Sequence, residues 1–198
     1  MSLTLALLIA AVLSGCGPAT QEVHFPDPNL EGRIRGAIDK PTGAILQSEL
    51  DEITSLSVVF AKNLSGLEHC TNLSKLWIAI GDIEDLSSLA GLTSLTQLWL
   101  LDCQITDISA LSGLTNLTYL AIDDNNITDV TPLSNLYNLE ELHISRNYIS
   151  DIEPLVDNTG LSEGDEVILQ YNPLSDTSIN TYIPQLEARG VDVEYEQE

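Results

Sequence analysis

Leucine recurs in this chain at a fixed interval of 22 residues, at Leu67, Leu89, Leu111, Leu133 and Leu155. Six further apolar columns keep the same interval, and one of them contains Leu76, Leu98, Leu120 and Leu142. A regular repeat of this length predicts a stack of similar units, because a single unit cannot bury its own apolar face. Such a solenoid presents one long curved surface and seldom builds a deep pocket, so the pattern favours binding over catalysis.

The order of residues within one unit predicts a short strand. Leu120 and Ile122 lie two positions apart, so their side chains point inward while Ala121 points outward. Neighbouring units then place their strands side by side in a parallel sheet on the concave side. About a dozen residues remain for the return path, which is too short for a long helix, so 3₁₀ or extended segments are expected on the convex side.

The central units, residues 111–127 and 133–149, resemble the leucine-rich repeat of the short internalin-like type. The resemblance implies an α/β leucine-rich repeat solenoid with a parallel concave β-sheet and a 3₁₀ or extended convex side. It also implies a helical N-terminal cap, a C-terminal cap and a protein partner on the concave face. A solenoid needs such caps because the core of its first and last repeats is otherwise exposed.

The resemblance further implies a buried ladder of asparagines at Asn125 and Asn147, continued by Asn172. A buried amide needs several hydrogen-bond partners, and the main-chain groups of a turning loop supply them. Cys103 and Gly81 occupy this position in the first two repeats. Glycine departs from the family pattern there, so we predict a looser turn at Gly81.

The pattern divides the chain into five segments. We predict a signal peptide (1–15), a tether (16–24), an N-terminal cap (25–66), four leucine-rich repeats (67–154), and a C-terminal cap repeat with a helix and a strand (155–198). Asp27 suits the cap of a first helix and Pro28 its first turn. Apolar spacing predicts a second short helix near Leu50, a closing helix over 177–189 and a last strand over 191–195.

The amino terminus has the composition of a targeting signal. Residues 1–13 are almost wholly apolar, a length that suits a signal peptide better than a membrane span. The four residues from Leu13 to Cys16 resemble the lipobox of bacterial lipoproteins. The resemblance implies lipid attachment at Cys16 and a membrane-anchored place in the cell envelope. No Lys or Arg precedes the apolar run, which departs from the usual signal, and secretion without an anchor is the alternative.

The charge balance and the cysteines exclude several classes of protein. The net charge is −23, with 30 acidic residues against 7 basic ones, and such a surface repels nucleic acid. Cys70 occupies a leucine column and Cys103 the asparagine column, so no disulfide is expected between these different parts of the repeat. No Cys/His spacing suits zinc, and we predict neither a metal nor a cofactor.

Aspartate forms a charged column at the repeat interval, at Asp85, Asp107, Asp129 and Asp151. One hypothesis is a row of calcium ligands. The alternative, which we favour, is that each carboxylate accepts hydrogen bonds from nearby main-chain N–H groups where the convex segment begins. One acidic residue per repeat fits the second interpretation better.

The two tryptophans share one outward-facing column, at Trp77 and Trp99. The neighbouring outward positions complete a predicted partner-binding surface, which contains Trp77, Trp99, Leu101, Tyr119, Asp123 and His143, with Ile80 beside it. Exposed apolar patches mark contact sites, and Trp and Tyr dominate the binding energy of interfaces. The alternative is that these aromatic residues only stabilise the sheet by packing across strands.

No catalytic motif is present in the sequence. His143 lacks a nucleophile or a metal-binding spacing around it, and no glycine-rich phosphate loop occurs. We therefore predict a non-catalytic protein-binding module of the cell envelope. Two other functions stay open: glycan binding by the two tryptophans, and a structural role through self-association of the same face.

Overall fold

The computed structural model describes residues 20–196, and these form a seven-stranded sheet, a two-stranded sheet and short helices. The strands are β1 (Glu22–Val23), β2 (Ile45–Leu46), β3 (Ser55–Val59), β4 (Lys75–Ala79), β5 (Gln97–Leu101), β6 (Tyr119–Ala121), β7 (Glu141–His143), β8 (Glu166–Ile168) and β9 (Asp192–Glu194). Strands β3 to β9 pair in chain order as a parallel seven-stranded sheet. The predicted α/β solenoid is confirmed.

The convex side consists of single helical turns, as the short return path predicts. These 3₁₀ turns are Leu67–His69, Ser87–Leu89, Ser109–Gly113 and Thr131–Leu133, and the next repeat has the short helix α3 (Glu153–Asp157) in their place. The leucine and isoleucine columns between sheet and turns are buried along the whole stack. The repeat interval therefore corresponds to one strand, one turn and one layer of core.

The N-terminal cap contains the helices α1 (Pro28–Ala37) and α2 (Gln47–Leu50), close to where the sequence predicts them. The carboxylate of Asp27 accepts the first main-chain N–H groups of α1. The structure adds an antiparallel pair, β1 with β2, so Glu22 and Val23 of the segment interpreted as a tether are paired with the cap. Strand β3 lies within the segment interpreted as the cap, and it is the first strand of the parallel sheet.

The C-terminal cap differs in detail from the single helix predicted over 177–189. A π-helical turn at Ser178–Tyr182 precedes the helix α4 (Ile183–Glu187). Pro184 lacks a main-chain N–H, so the helical hydrogen bond at this position cannot form and the turn widens before it. Strand β9 then pairs with β8 and closes the sheet.

The asparagine ladder is present at all three predicted positions. The Nδ2 group of Asn125 donates to the carbonyl oxygens of Leu100 and Ile122, and its Oδ1 accepts from the main-chain N–H groups of Cys103 and Ile105. Asn147 and Asn172 repeat this arrangement in the next coils. Their contacts run to the preceding repeat and to their own loop. Each amide therefore connects two coils of the stack.

The turn at Gly81 is closely packed, so the prediction of a looser turn was wrong. A side chain there would place its Cβ 2.8 Å from the carbonyl oxygen of Ala61 and 3.3 Å from Cys103 Sγ. The first coil is shorter than the others, because Ser55 pairs with Lys75 whereas Lys75 pairs with Gln97. The shorter coil brings the Ala61 main chain into the space that a ladder side chain would need.

Within residues 20–196, no helix is long and apolar enough to cross a membrane. The predicted signal peptide (1–15) and the predicted lipid attachment site at Cys16 lie outside the described residues. Cys70 and Cys103 are buried free thiols. Burial raises the pKa of Cys70 to about 12 and that of Cys103 to about 11, so both thiols stay protonated at neutral pH.

Candidate functional site: the concave face

The predicted partner-binding residues lie on the outward face of the concave sheet. Trp77 and Trp99 are direct neighbours in register, and Leu101 is paired with Ala79 on the same face. Tyr119 and His143 belong to the next two strands. All of these side chains except that of Ala79, which is buried, are partly exposed. The structure therefore places the predicted residues on one continuous surface.

The aromatic side chains of this surface form a line across three strands. The ring of Trp99 lies 4.7 Å from that of Tyr119, centroid to centroid, and Tyr119 lies 5.3 Å from His143. Among the described residues, Trp99 contacts the Tyr119 ring rather than the Trp77 ring. Ala121, which lies in register between Trp99 and His143, is covered although it faces outward. Burial raises the pKa of the Tyr119 hydroxyl, and a hydrogen bond with Trp99 partly offsets that effect.

Carboxylates surround the aromatic line at its His143 end. Glu141 and Glu166 are directly opposed in register on β7 and β8. The Glu141 carboxylate lies 4.0 Å from His143 Nε2, and that nitrogen is buried without a hydrogen-bond partner. Burial raises the pKa of Asp123, although its Oδ1 accepts the Ser145 main-chain N–H at 2.8 Å. This end of the surface is therefore negatively charged and incompletely paired.

Glu141, His143 and Glu166 also have the geometry of a metal-binding cluster, with one ligand atom from each within 4.8 Å of the others. The surface predicted from the sequence contains His143 but neither of the two glutamates. The repeat interval lengthens after β7, so Glu166 does not fall in the 22-residue column that contains Glu141. Glu141 and Glu166 are the first residues of β7 and β8. An alignment of the first residues of the strands, instead of the 22-residue columns, would therefore have placed the two glutamates opposite each other.

A second feature that the sequence did not predict lies where the strands end. Six consecutive coils carry one residue with positive φ at this edge, and these residues are Phe60, Ile80, Asp102, Asp124, Arg146 and Tyr171. In the first five, the main-chain N–H donates to a carbonyl of the next coil, which holds the left-handed conformation in place. The first two are also exposed large apolar residues, at 55% for Phe60 and 52% for Ile80. Each directly follows a strand of the parallel sheet, Phe60 after β3 and Ile80 after β4.

The aspartate column serves the fold, as we favoured from the sequence. The carboxylate of Asp85 accepts the Ser87 main-chain N–H at 2.7 Å, and that of Asp107 accepts the Ser109 N–H at 2.8 Å. Asp129 and Asp151 likewise each accept the main-chain N–H of the residue two positions later in the chain. These hydrogen bonds hold the pKa values of Asp85 and Asp107 below their usual range. Each aspartate therefore orders the start of a convex turn.

The comparisons with known proteins agree with this geometry. A family profile described as Leucine Rich repeats (2 copies) matches residues 71–113, 93–134 and 115–157. No curated protein matches the sequence. Two internalin structures from Listeria monocytogenes are similar to this chain. The first is InlF, at 29% identity over 86% of this chain and 56% of that chain, with a TM-score of 0.68.

The second is the functional domain of InlJ, at 26% identity over 82% of this chain and 41% of that chain, with a TM-score of 0.59. This chain thus spans 56% and 41% of the two internalin structures. A leucine-rich repeat protein of Leptospira interrogans shares the fold alone, at 16% identity over 76% of this chain and 51% of that chain, with a TM-score of 0.53. The chain is a leucine-rich repeat protein, internalin-like by its structural neighbours.

Proposed function

We propose that this protein is a non-catalytic cell-envelope module that binds a protein partner on its concave face. Leucine-rich repeat domains of the internalin type are generally protein-interaction modules and generally not enzymes. The observation that carries the proposal is the partly exposed aromatic surface of Trp77, Trp99, Leu101 and Tyr119, with Ile80 at its edge. A large apolar patch on a sheet face is the usual sign of a contact site.

The conformation of Ile80 supports a role outside the fold. Its φ of 57° is left-handed, and this region disfavours a β-branched residue by about 1–2 kcal/mol. Its side chain is half exposed, so burial in this protein offsets little of that strain. Backbone strain of this kind clusters at binding sites. An apolar group in such a position suits contact with a partner.

A pull-down from envelope extract of the source organism tests the proposal. The baits are the unchanged protein, the Trp77→Ala/Trp99→Ala variant and an Ile80→Asn variant. We expect the double variant to lose the partner, because truncation of such aromatic anchors weakens binding by about 2 kcal/mol or more each. Asparagine tolerates the left-handed region, so Ile80→Asn should weaken partner binding while raising the melting temperature of the protein. If Ile80→Asn weakens binding while it raises the melting temperature, unfolding is excluded as the cause of the weaker binding.

The matched control removes two exposed aromatic side chains outside the sheet, in a Tyr137→Ala/Tyr148→Ala variant. Equal recovery of the partner by all baits would refute the concave face as the contact surface. A ligand that survives protease treatment and competes with free oligosaccharide would show glycan binding instead. Sedimentation that depends on concentration and is lost in the tryptophan variant would show self-association.

The envelope location rests on residues 13–16, whose sequence resembles a lipobox. We propose that Cys16 carries the lipid and that the solenoid therefore stays at the membrane surface. In a bacterial host, the unchanged protein should enter the detergent phase of a Triton X-114 extract. A Cys16→Ser variant should move to the aqueous phase, and a Cys70→Ser variant serves as the control. Detergent-phase partition of the Cys16→Ser variant would contradict lipid attachment at this residue.

A further inference from the structure

The concave face is divided along the solenoid into two chemically different halves. We define the aromatic half as Trp77, Trp99, Leu101 and Tyr119, with Ile80 at its edge. We define the acidic half as Asp123, Glu141 and Glu166, with Asp192 and Glu194 on the next strand. Within strands β3 to β9, Lys75 is the only Lys or Arg, and it lies in β4, at the aromatic end. Within these strands, acidic residues therefore replace the one basic residue from the aromatic end of the face to the other end.

Among the described residues, the carboxylates of Glu141 and Glu166 accept no main-chain hydrogen bond of the kind that the aspartate column accepts. Glu141 and Glu166 face each other in register, and like charges in that arrangement are unfavourable. Within residues 20–196, neither glutamate pairs with a Lys or Arg, and the 4.0 Å approach of Glu141 to His143 Nε2 is an ion pair only when the imidazole is protonated. Asp85 and its equivalents, by contrast, accept main-chain hydrogen bonds. A cation from outside the chain would relieve the repulsion between the two glutamates.

His143 lies beside these carboxylates, and its side chain is partly exposed at the same surface. Its Nε2 atom is buried and has no hydrogen-bond partner among the described residues, and it points toward the Glu141 carboxylate. A buried polar atom without a partner is unfavourable, so native proteins usually supply one. The Tyr119 ring, 5.3 Å from His143, offers an aromatic face of the kind that binds cations.

We infer that the partner supplies an arginine or lysine side chain to the acidic half and an apolar side chain to the aromatic half. This inference rests on the proposed function and specifies its partner as a basic, amphipathic protein segment. From β4 to β8 the face crosses four strand spacings, about 19 Å at about 4.8 Å each. An extended segment covers that distance in about six residues. The cationic and the apolar side chain should therefore lie about six residues apart.

A displayed library of random peptides, selected on the full-length protein in buffer with EDTA, tests the inference. The selected peptides should carry Arg or Lys at about that distance from Trp, Phe or Leu. They should bind a Glu141→Gln/Glu166→Gln variant at least about tenfold more weakly, and the difference should shrink as salt is raised. A Glu84→Gln/Glu187→Gln variant loses the same charge away from the concave face, and it should bind like the unchanged protein.

Two results would overturn the inference and leave the proposed function standing. The first is selection of peptides without cations, or equal binding to both glutamine variants, while Trp77→Ala/Trp99→Ala still abolishes binding. The second is tight binding of zinc chloride in calorimetry that Glu141→Gln/Glu166→Gln removes, because the cluster would then be a metal site. If neither the tryptophan nor the glutamate changes affect the selected peptides, the inference and the proposed function both fail.

Discussion

Single residues hold successive coils of this solenoid together, and the ladder asparagines do so most directly. The Oδ1 atom of Asn147 accepts the main-chain N–H of Ile127, and its Nδ2 group donates to the carbonyl oxygens of Ile122, Ile144 and Ser145. These partners belong to two different coils. They are also buried, so water cannot replace the amide if it is removed.

We predict that Asn147→Ala lowers the free energy of unfolding by at least about 2 kcal/mol, because several buried main-chain groups lose their partner together. Chemical denaturation monitored by circular dichroism measures the change. The control is Asn116→Ala, whose exposed amide makes a single contact to the Thr93 carbonyl and should contribute less than about 1 kcal/mol. Equal losses for the two variants would contradict a special role for the ladder.

At the scale of elements, one side chain fixes the N-terminal cap to the sheet. Asp27 caps α1 through Oδ1, and its Oδ2 accepts the main-chain N–H groups of Lys62 and Asn63 in the loop after β3. Burial by itself raises the pKa of Asp27, but the four N–H groups together hold it below the usual value. The ionised carboxylate therefore fastens the helix to the first coil.

We predict that Asp27→Ala lowers the free energy of unfolding by about 2 kcal/mol at neutral pH, the upper range for loss of a helix cap. Because the folded pKa is depressed, this stabilisation is present above the unfolded value of 3.8 and is lost as pH falls through the folded pKa. The free energies of unfolding of the unchanged protein and the variant should therefore become equal in acid. Denaturation curves across this pH range test the prediction, with exposed Glu52→Ala as the control. A difference that persists in acid would refute it.

At the scale of the whole molecule, negative charge opposes the compact state. The net charge is −23, and within residues 20–196 a few ion pairs, such as Arg35 with Glu31 and Lys40 with Glu49, offset it locally. Screening by salt weakens the long-range repulsion more than it weakens these close contacts. The fold should therefore be more stable at moderate ionic strength than in dilute buffer.

We predict that sodium chloride raises the melting temperature by roughly 2–4 °C, which corresponds to about 1 kcal/mol in a protein of this size. Differential scanning calorimetry in low and moderate salt measures the shift. Sucrose at equal osmolality is the control, because it stabilises compact states without screening charge. A melting temperature that falls with salt would show that the ion pairs outweigh the general repulsion.

The periodic part of the fold could be predicted from the sequence, because its columns record one constant geometry. The strands and the convex turns follow from it, whereas the ladder at Asn125 was implied by the resemblance to the leucine-rich repeat. What depends on the ends of the stack could not be predicted in the same way. The shorter first coil explains why glycine, rather than a ladder side chain, occupies position 81. The longer coil after β7 brings Glu166 opposite Glu141.

The site was predictable only as a set of outward-facing positions. The contact of Trp99 with Tyr119 depends on side-chain rotamers, which a repeat column does not specify. The left-handed backbone of Phe60 and Ile80 goes against the preference of both residue types. Their position directly before the ladder column was the available signal, because the coils that follow carry Asp102 and Asp124 there.

The constant offset between β4, β5, β6 and β7 has a consequence for how such a protein can change over generations. Each of these strands pairs with the next at the same 22-residue distance, from Lys75 through Gln97 and Tyr119 to Glu141. Recombination between misaligned gene copies can therefore insert or delete one whole coil and leave every neighbouring coil in register. Each insertion would lengthen the concave face by about 4.8 Å, so the length of this face is adjustable in discrete steps.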